Sequence, residues 1–360
     1  MLKSIRFKNF KCFKDLEIQG LKQFNLIGGK NNVGKTALLE GIFIGVGHKR
    51  PGLALSLNTF RGIYEYEFNI EDIIEEIWGN YFYESILKDR IIIDSDCNEC
   101  GKRRLEIEII SKKTKTASLK KEDLLGTFSG STEPEEISQQ VLQYSVFDNN
   151  NRKYKAEAFL ENKELKFKDA AIRLPFELVF VPTFFRGDRA ENVERLSKIQ
   201  MAKKDNEIID IVKIIEPKIN QLKILSKGKS PFIYADIGLK KLMPIQTLGD
   251  GTVKLFSILL AIFRAKGGIV LIDELEDGFH HTLYEKVIQN IFEFAKSLNV
   301  QVITTTHNYE LLQAAHRFFR NVPEYPFRYL RLDEIDGRIE AKTFDQEMME
   351  VAMDEFLEVR

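Results

Sequence analysis

Cysteine is scarce: three in 360 residues, an odd number, which excludes a disulfide framework and agrees with a reducing compartment. An excess of charge of either sign is missing as well. Lysine and arginine number 53 against 54 for aspartate and glutamate, a formal charge of −1. No global basic field marks a nucleic-acid binder, so any such contact must be a local patch. Apolar runs are all shorter than a membrane span or broken by charge, and the opening MLKSIRFKNF lacks a signal-peptide core. The expectation is a soluble, cytoplasmic protein with no membrane partner. At 44% apolar content the chain has room for one large or two ordinary domains, and no internal repeat is visible.

What is present begins at NLIGGKNNVGKTALLE, residues 25–40, where Gly29, Gly34, Lys35 and Thr36 satisfy G-x-x-x-x-G-K-T. Glycines let successive backbone N–H groups point inward around a polyphosphate, and the helix starting near Lys35 adds the positive end of its dipole. Lys35 is placed to reach the β- and γ-phosphates and Thr36 to supply a hydroxyl to Mg²⁺. The expected ATP contacts are Gly29, Lys30, Asn31, Asn32, Gly34, Lys35 and Thr36. The context fits, because FNLIG reads as a buried strand and TALLEGIFIGV as an apolar helix.

A second strand, GGIVLIDE, ends in Asp273 and Glu274. An acid at the carboxyl end of a parallel strand sits on the ligand-binding edge, so Asp273 is expected to serve Mg²⁺ and Glu274 to orient the attacking water. A third, VQVITTT, ends in His307, whose imidazole can contact a γ-phosphate. Lys35, Glu274 and His307 are therefore the expected catalytic set, and Thr36 and Asp273 the metal ligands.

Elsewhere, LKSIRFKNFKCFKDLEIQGL reads as a hairpin, RIIIDSDCNECGKRRLEIEII as two strands with a tight turn, and VLQYSVFDNNNRKYKAEAFL as a hairpin turning at Asn149 to Asn151. IEDIIEEIWGNYFYESIL reads as an amphipathic helix, and SKKTKTASLKKED and GTFSGSTEPEE as polar loops. Residues 191–225 read as a charged helical stretch interrupted near Pro217. The last third alternates strands and helices in the rhythm of a parallel sheet.

The order of phosphate loop, long insertion, the glycine turn LGDGTVKLFSILLAI, Asp-Glu strand and histidine resembles the ABC-type ATPase heads of the SMC and RecF group. More narrowly it resembles prokaryotic ATPases related to the overcoming-lysogenization-defect (OLD) nucleases. IRFKNFKCF is similar to their I-x-x-x-N-F-K/R-x-F opening, ELEDGFHH to their E-x-x-x-x-L-H-P segment, and MDEFLEVR to their C-terminal helix. The resemblance implies an α/β fold: an ABC-type P-loop ATPase head with a mixed β lobe, a parallel core sheet and an inserted α+β lobe. The head would be 1–57 and 171–360 and the insert 58–170.

It also implies that Lys11 lies beside the nucleotide and that Gly249, Asp250 and Gly251 meet the γ-phosphate held by a second copy, in a homo-oligomer of at least two. Gly249 stands where the family has serine, and either His280 or His281 matches its histidine. No glutamine takes the Q-loop place, since Gln139, Gln140 and Gln143 precede a hairpin. The implied function is an ATP-hydrolysing switch controlling a separate effector, a nuclease, in phage defence systems of the Septu or PARIS kind. The alternatives are a RecF-like repair ATPase acting directly on DNA, a transporter subunit, and a nucleotide-binding scaffold without turnover.

Three weaker signals keep two readings each. Cys97 and Cys100 in CNECGK supply two of four zinc ligands, to be completed by another copy, or else form an ordinary turn. The basic stretch from Lys102 to Lys121 is a solvated face or a phosphate-backbone contact. Arg186 and Arg189 face nucleotide or partner, or make surface ion pairs.

Overall fold

The computed structural model describes residues 1–47, 50–60, 73–116, 135–161, 164–172, 174–183, 189–227 and 230–354. Strands β1 (Leu2–Phe10) and β2 (Phe13–Ile18) form the expected hairpin, with Ile5 opposite Ile18 and Phe7 opposite Leu16. Alternation puts these four side chains on one face, and all four are buried. β3 (Phe24–Gly29), buried throughout, feeds the glycine loop and helix α1 (Lys35–Gly47). α2 (Leu53–Phe60) and α3 (Ile73–Trp78) follow. The predicted amphipathic helix stops at Trp78, where two single 3₁₀ turns replace it. There the backbone N–H of Lys11 donates to Tyr81 O (2.9 Å) and Phe82 bridges Phe10, a pairing to β1 that a continuing helix could not make.

β4 (Ile91–Cys97), β5 (Gly101–Thr116), β6 (Glu135–Phe147), β7 (Lys153–Glu161) and β8 (Glu164–Lys168) extend the first hairpin into a seven-stranded sheet of order β2-β1-β4-β5-β6-β7-β8. Both expected hairpins are present. At the β6–β7 turn Asp148 Oδ1 accepts the N–H groups of Asn150 and Arg152. β5 continues through Lys112–Thr116, where a polar loop was expected, because β6 pairs with it out to Thr116–Glu135. Residues 117–134, the rest of the two expected polar loops, lie outside the described residues.

β9 (Leu178–Val181) is followed by α4 (Arg189–Met201), α5 (Asp205–Val212), β10 (Gln221–Lys227), β11 (Ser230–Asp236) and β12 (Met243–Pro244). The helical reading of 191–225 therefore holds only to Val212. QLKILSK is a strand because it alternates and pairs residue for residue with β11. Then come α6 (Asp250–Arg264), β13 (Ile269–Ile272), α7 (Tyr284–Ser297), β14 (Gln301–Thr305), α8 (Tyr309–Phe319), β15 (Phe327–Ile335), β16 (Arg338–Phe344) and α9 (Gln346–Asp354).

The six-stranded sheet has order β16-β15-β3-β14-β13-β9, parallel except for β16 at its edge. Its strands are sandwiched. Val270, Ile272 and Val302 belong to one apolar cluster, with α6, α7 and α8, while Ile269, Leu271 and Ile303 belong to another, with α1 and the seven-stranded sheet. α1 approaches that sheet so closely that a Cβ on Gly41 would lie 2.5 Å from the Phe7 ring. The carboxyl ends of β3, β13 and β14 meet at one edge, the place where open α/β sheets bind ligands. No helix among the described residues is long and apolar enough to cross a membrane.

Candidate functional site

The loop after β3 adopts backbone angles that only glycine takes freely: φ is +128° at Gly29 and +90° at Gly34. Side chains there would also collide. A Cβ on Gly29 would lie 2.4 Å from Leu332 O, and one on Gly34 2.5 Å from Cys12 Sγ. Asn32 takes the left-handed region as well (φ +65°), which asparagine tolerates better than most residues. Lys35 folds back over the loop, its ammonium donating to Gly29 O (2.7 Å) and Lys30 O (2.8 Å). Burial lowers its pKa, against the opposing pull of Glu274, Glu276 and Asp273.

One residue into α1, the Thr36 hydroxyl donates to Asp273 at 3.1 and 3.2 Å. Two more hydroxyls converge on that buried carboxylate, Thr183 at 3.0 Å and Thr305 at 2.6 Å. Thr305 Oγ1 also accepts the backbone N–H of Glu274 (2.8 Å). Glu274 itself is left-handed, φ +48°, which a residue with a Cβ holds only when its surroundings impose it. Burial raises the pKa of its carboxyl, helped by Asp277 and Asp273 and opposed by His307.

His307 follows β14. Its backbone N–H donates to Glu276 Oε1 (2.7 Å), and its ring Nδ1 lies 3.0 Å from the same oxygen and 3.8 Å from Glu274 Oε1. The ring thus lies beside two carboxylates, those of Glu276 and Glu274.

Glycine-shaped phosphate cradle, lysine, hydroxyl, strand acid and histidine thus stand at one sheet edge. A family model described as "AAA domain, putative AbiEii toxin, Type IV TA system" matches residues 24–313, a span that takes in all of them. The chain belongs to that family. It is an AAA ATPase, an enzyme that binds and hydrolyses ATP. Over 352 residues it is 26% identical to a Helicobacter pylori protein named ATP/GTP phosphatase, the match covering 89% of each chain. Solved structures that align with it include an SMC head bound to the C-terminal winged-helix domain of ScpA (14% identity, TM-score 0.49, 96% of this chain and 98% of that one). The Pyrococcus furiosus SMC head with an extended coiled coil, bound to the C-terminal domain of ScpA, aligns at 11% identity and TM-score 0.49 over 99% of each chain.

In this AAA ATPase the remaining expected site residues lie as follows. Lys11 (φ +50°) is in a buried ion pair with Glu40 of α1, its ammonium 4.6 Å from the centre of the Tyr81 ring. Gly249 precedes α6 in extended backbone and a Cβ there would meet nothing within 4 Å. Gly251 was expected to meet the γ-phosphate held by a second copy. Its side-chain face is packed on its own chain, because a Cβ there would lie 2.3 Å from Gly278 O. Asp250 opens α6, in its first turn.

The rings of His280 and His281, both exposed, lie with centres 4.3 Å apart, tilted by 36°. Arg186 lies outside the described residues, and of Arg189 only the helical backbone is described. In the basic stretch, Arg104 pairs with Asp94 (2.7 Å) and Lys112 with Glu157 (2.7 Å) across the sheet. Cys97 and Cys100 are free thiols that interact with each other, and among the described residues no group of three or more metal-ligating side chains stands together.

Three residues at the site carried no sequence signal that was used. Glu276 could have been noticed as an extra acid in DELED. Lys254 is a lone cation at the head of an apolar helix, and its ammonium donates to the carbonyls of Asp273 (3.0 Å) and Glu274 (2.7 Å). Thr183 follows the parallel strand β9.

Proposed function

We propose that this AAA ATPase is a nucleotide-gated switch, two copies of which close head to head on ATP and govern a separate effector, a nuclease acting in phage defence. The observation that carries the catalytic part is the Asp273 carboxylate held by three hydroxyls with Glu274 fixed in left-handed backbone beside it. The groups present fit a triphosphate with Mg²⁺. At Gly29 and Gly34 the loop has no room for a Cβ, and hydroxyl and carboxylate oxygens are the hard donors Mg²⁺ takes, with phosphates completing its shell. When bound, ATP brings the phosphoryl group that passes to water, and Mg²⁺ offsets its charge.

Gly29 to Gly34 would turn N–H groups to the phosphates, and Lys35 would leave the Gly29 and Lys30 carbonyls for phosphate oxygens. Thr36 and Asp273 would hold the metal. Glu274 orients the attacking water, and its raised pKa makes it a better proton acceptor than an ordinary surface glutamate. His307 offers Nε2 to the γ-phosphate side of the site.

The dimer rests on α6. Among the described residues no side chain caps its N-terminus, and the Gly249 face is open, which leaves the start of the helix to an anion brought by another copy. We assign the head to 1–57 and 171–360 and the inserted lobe to 58–170. β1 pairs with β2 on one side and β4 on the other, which couples the lobe to the strands packed on α1. The description of the family as an AbiEii toxin of a type IV toxin–antitoxin system favours a two-component defence setting.

The test is sedimentation of Glu274→Gln with Mg²⁺ and ATP, followed by co-purification with the product of the neighbouring gene. An ATP-dependent dimer that retains a nuclease is expected. A monomer at saturating ATP overturns the dimer, and ATPase stimulation by bare DNA without a partner overturns the effector in favour of direct action on DNA.

A further inference from the structure

Helix α6 is fastened to the acid loop of its own chain at two points. At the first, Gly251 and Gly278 pack backbone on backbone: a Cβ on Gly278 would lie 2.9 Å from Gly251 N, and one on Gly251 2.3 Å from Gly278 O. At the second, one turn further on, the Lys254 ammonium donates to the carbonyls on both sides of the Asp273–Glu274 junction. Those two carbonyls end the strand and start the left-handed corner at Glu274. The corner has other restraints: Thr305 Oγ1 accepts the Glu274 N–H, and the Asp277 N–H donates to Glu274 O. Lys254 closes it from the α6 side, and it is a charged donor, which makes its bonds stronger than neutral ones.

An isolated strand end would not hold a glutamate at φ +48°, because the left-handed region is sterically unfavourable for a residue with a Cβ. The carboxylate direction therefore depends on what pins the peptide. The pin sits on the same helix that Gly249 precedes.

We propose that Lys254 is a positioning residue for ATP hydrolysis, holding the Asp273 and Glu274 carbonyls so that the Glu274 side chain stays aimed and tying that aim to the 249–251 turn. The proposal rests on the reading of Glu274 as the group that orients the attacking water. An ammonium bound to two backbone carbonyls fixes geometry without contributing to nucleotide affinity. Its loss belongs in kcat.

Steady-state ATPase and equilibrium nucleotide binding of Lys254→Met, Lys254→Arg and the double variant Lys254→Met/Glu274→Gln test it. Misplacing a reacting group by about 1 Å costs about 100-fold in rate, so Lys254→Met is expected to lose roughly that in kcat. Nucleotide affinity is expected to stay within about twofold, and Lys254→Arg, which keeps the charged donor, to recover part of the rate. In the Glu274→Gln background the lysine change is expected to alter the residual rate less than about twofold, because the group it aims is gone. Lys254→Gln, neutral but still a donor, replaces Lys254→Met if that variant fails to fold, with a loss between those of Met and Arg. A Lys254→Met kcat within about twofold of wild type, or losses that multiply in the double variant, overturns the proposal. Wild-type turnover by Glu274→Gln alone would instead remove the underlying reading of Glu274.

Discussion

Replacing Glu276 tests whether His307 is aimed by its own chain. Glu276 is 5% exposed; its Oε1 accepts the backbone N–H of His307 and lies 3.0 Å from the ring Nδ1, and among the described residues its buried Oε2 has no hydrogen-bond partner. A carboxylate in that state costs desolvation free energy that a neutral side chain would not, so the fold gains little from its charge. Hydrogen bonds to charged groups contribute about 1.5–3 kcal/mol. If the contact between Glu276 and the His307 ring is worth as much in turnover, Glu276→Ala lowers kcat about 10- to 100-fold, since about 1.4 kcal/mol is a factor of ten. Glu276→Gln keeps the shape and an acceptor oxygen, so its loss should be smaller, with thermal stability close to wild type. Phosphate release measured beside nucleotide binding and a melting curve separates these effects. In a His307→Ala background the Glu276 change should cost little more, because the ring it orients is absent. A Glu276→Ala variant with wild-type kcat, or losses that multiply with those of His307→Ala, would refute the reasoning.

The other predictions concern the loop, the turn and the thiols. Lys35→Ala should weaken ATP binding by about 10- to 100-fold, the loss of a charge-assisted phosphate contact, whereas Glu274→Gln should bind normally and turn over about 100- to 10,000-fold more slowly; equal behaviour of the two in a binding assay would contradict the division of roles. Gly251→Ala should destabilise the fold by about 1–3 kcal/mol through collision with Gly278, while Gly249→Ala should be nearly silent in the same melt. Gly249→Arg should keep ATP binding and lose the ATP-dependent dimer in a Glu274→Gln background, read by sedimentation. A hydrogen bond from Cys97 and the nearby Arg103 charge lower the Cys100 thiol to about 7, and the same bond with burial raises that of Cys97. Alkylation should therefore occur at Cys100, with a rate rising through about pH 7 rather than near 8.5, the ordinary thiol value, and peptide mapping that finds Cys97 labelled first would count against it.

Elements whose signal is local were legible in the sequence. The β1–β2 hairpin, both hairpins of the extended sheet and the α/β run from Gly268 to Phe319 follow from period-2 alternation or from strand and helix lengths. The loop and Asp273 could be placed because their chemistry constrains neighbouring residues. What could not be read depends on contacts distant in sequence. The end of α3 is decided by backbone pairing to β1, and the strand at 221–227 by a partner that the Pro217 break obscured. That Gly251 packs against Gly278 could not be read either, because the two are 27 positions apart. Glu276 and Lys254 were missed for the same reason: a buried acid and a lone lysine acquire meaning only from the histidine and the carbonyls that fold onto them.

The arrangement around Asp273 shows why threonines, rather than cations, were the right partners for this carboxylate. Asp273 sits at the end of β13, and its hydroxyl partners come from α1, from the segment after β9 and from β14, so one carboxylate gathers four elements. A lysine or arginine in that role would satisfy the acid more strongly and would also repel any metal brought to it. A hydroxyl instead carries one proton and two lone pairs, and it rotates. Thr36 can donate to Asp273 now and turn a lone pair to a cation later without moving its backbone, while Thr305 keeps its second contact to the Glu274 N–H. On the proposed reading of Asp273 as a metal ligand, hydroxyl partners would satisfy its carboxylate and still leave room for a cation. The cationic charge nearby is kept off the carboxylate oxygens, on Lys35 over the loop carbonyls and on Lys254 over the backbone carbonyls of Asp273 and Glu274.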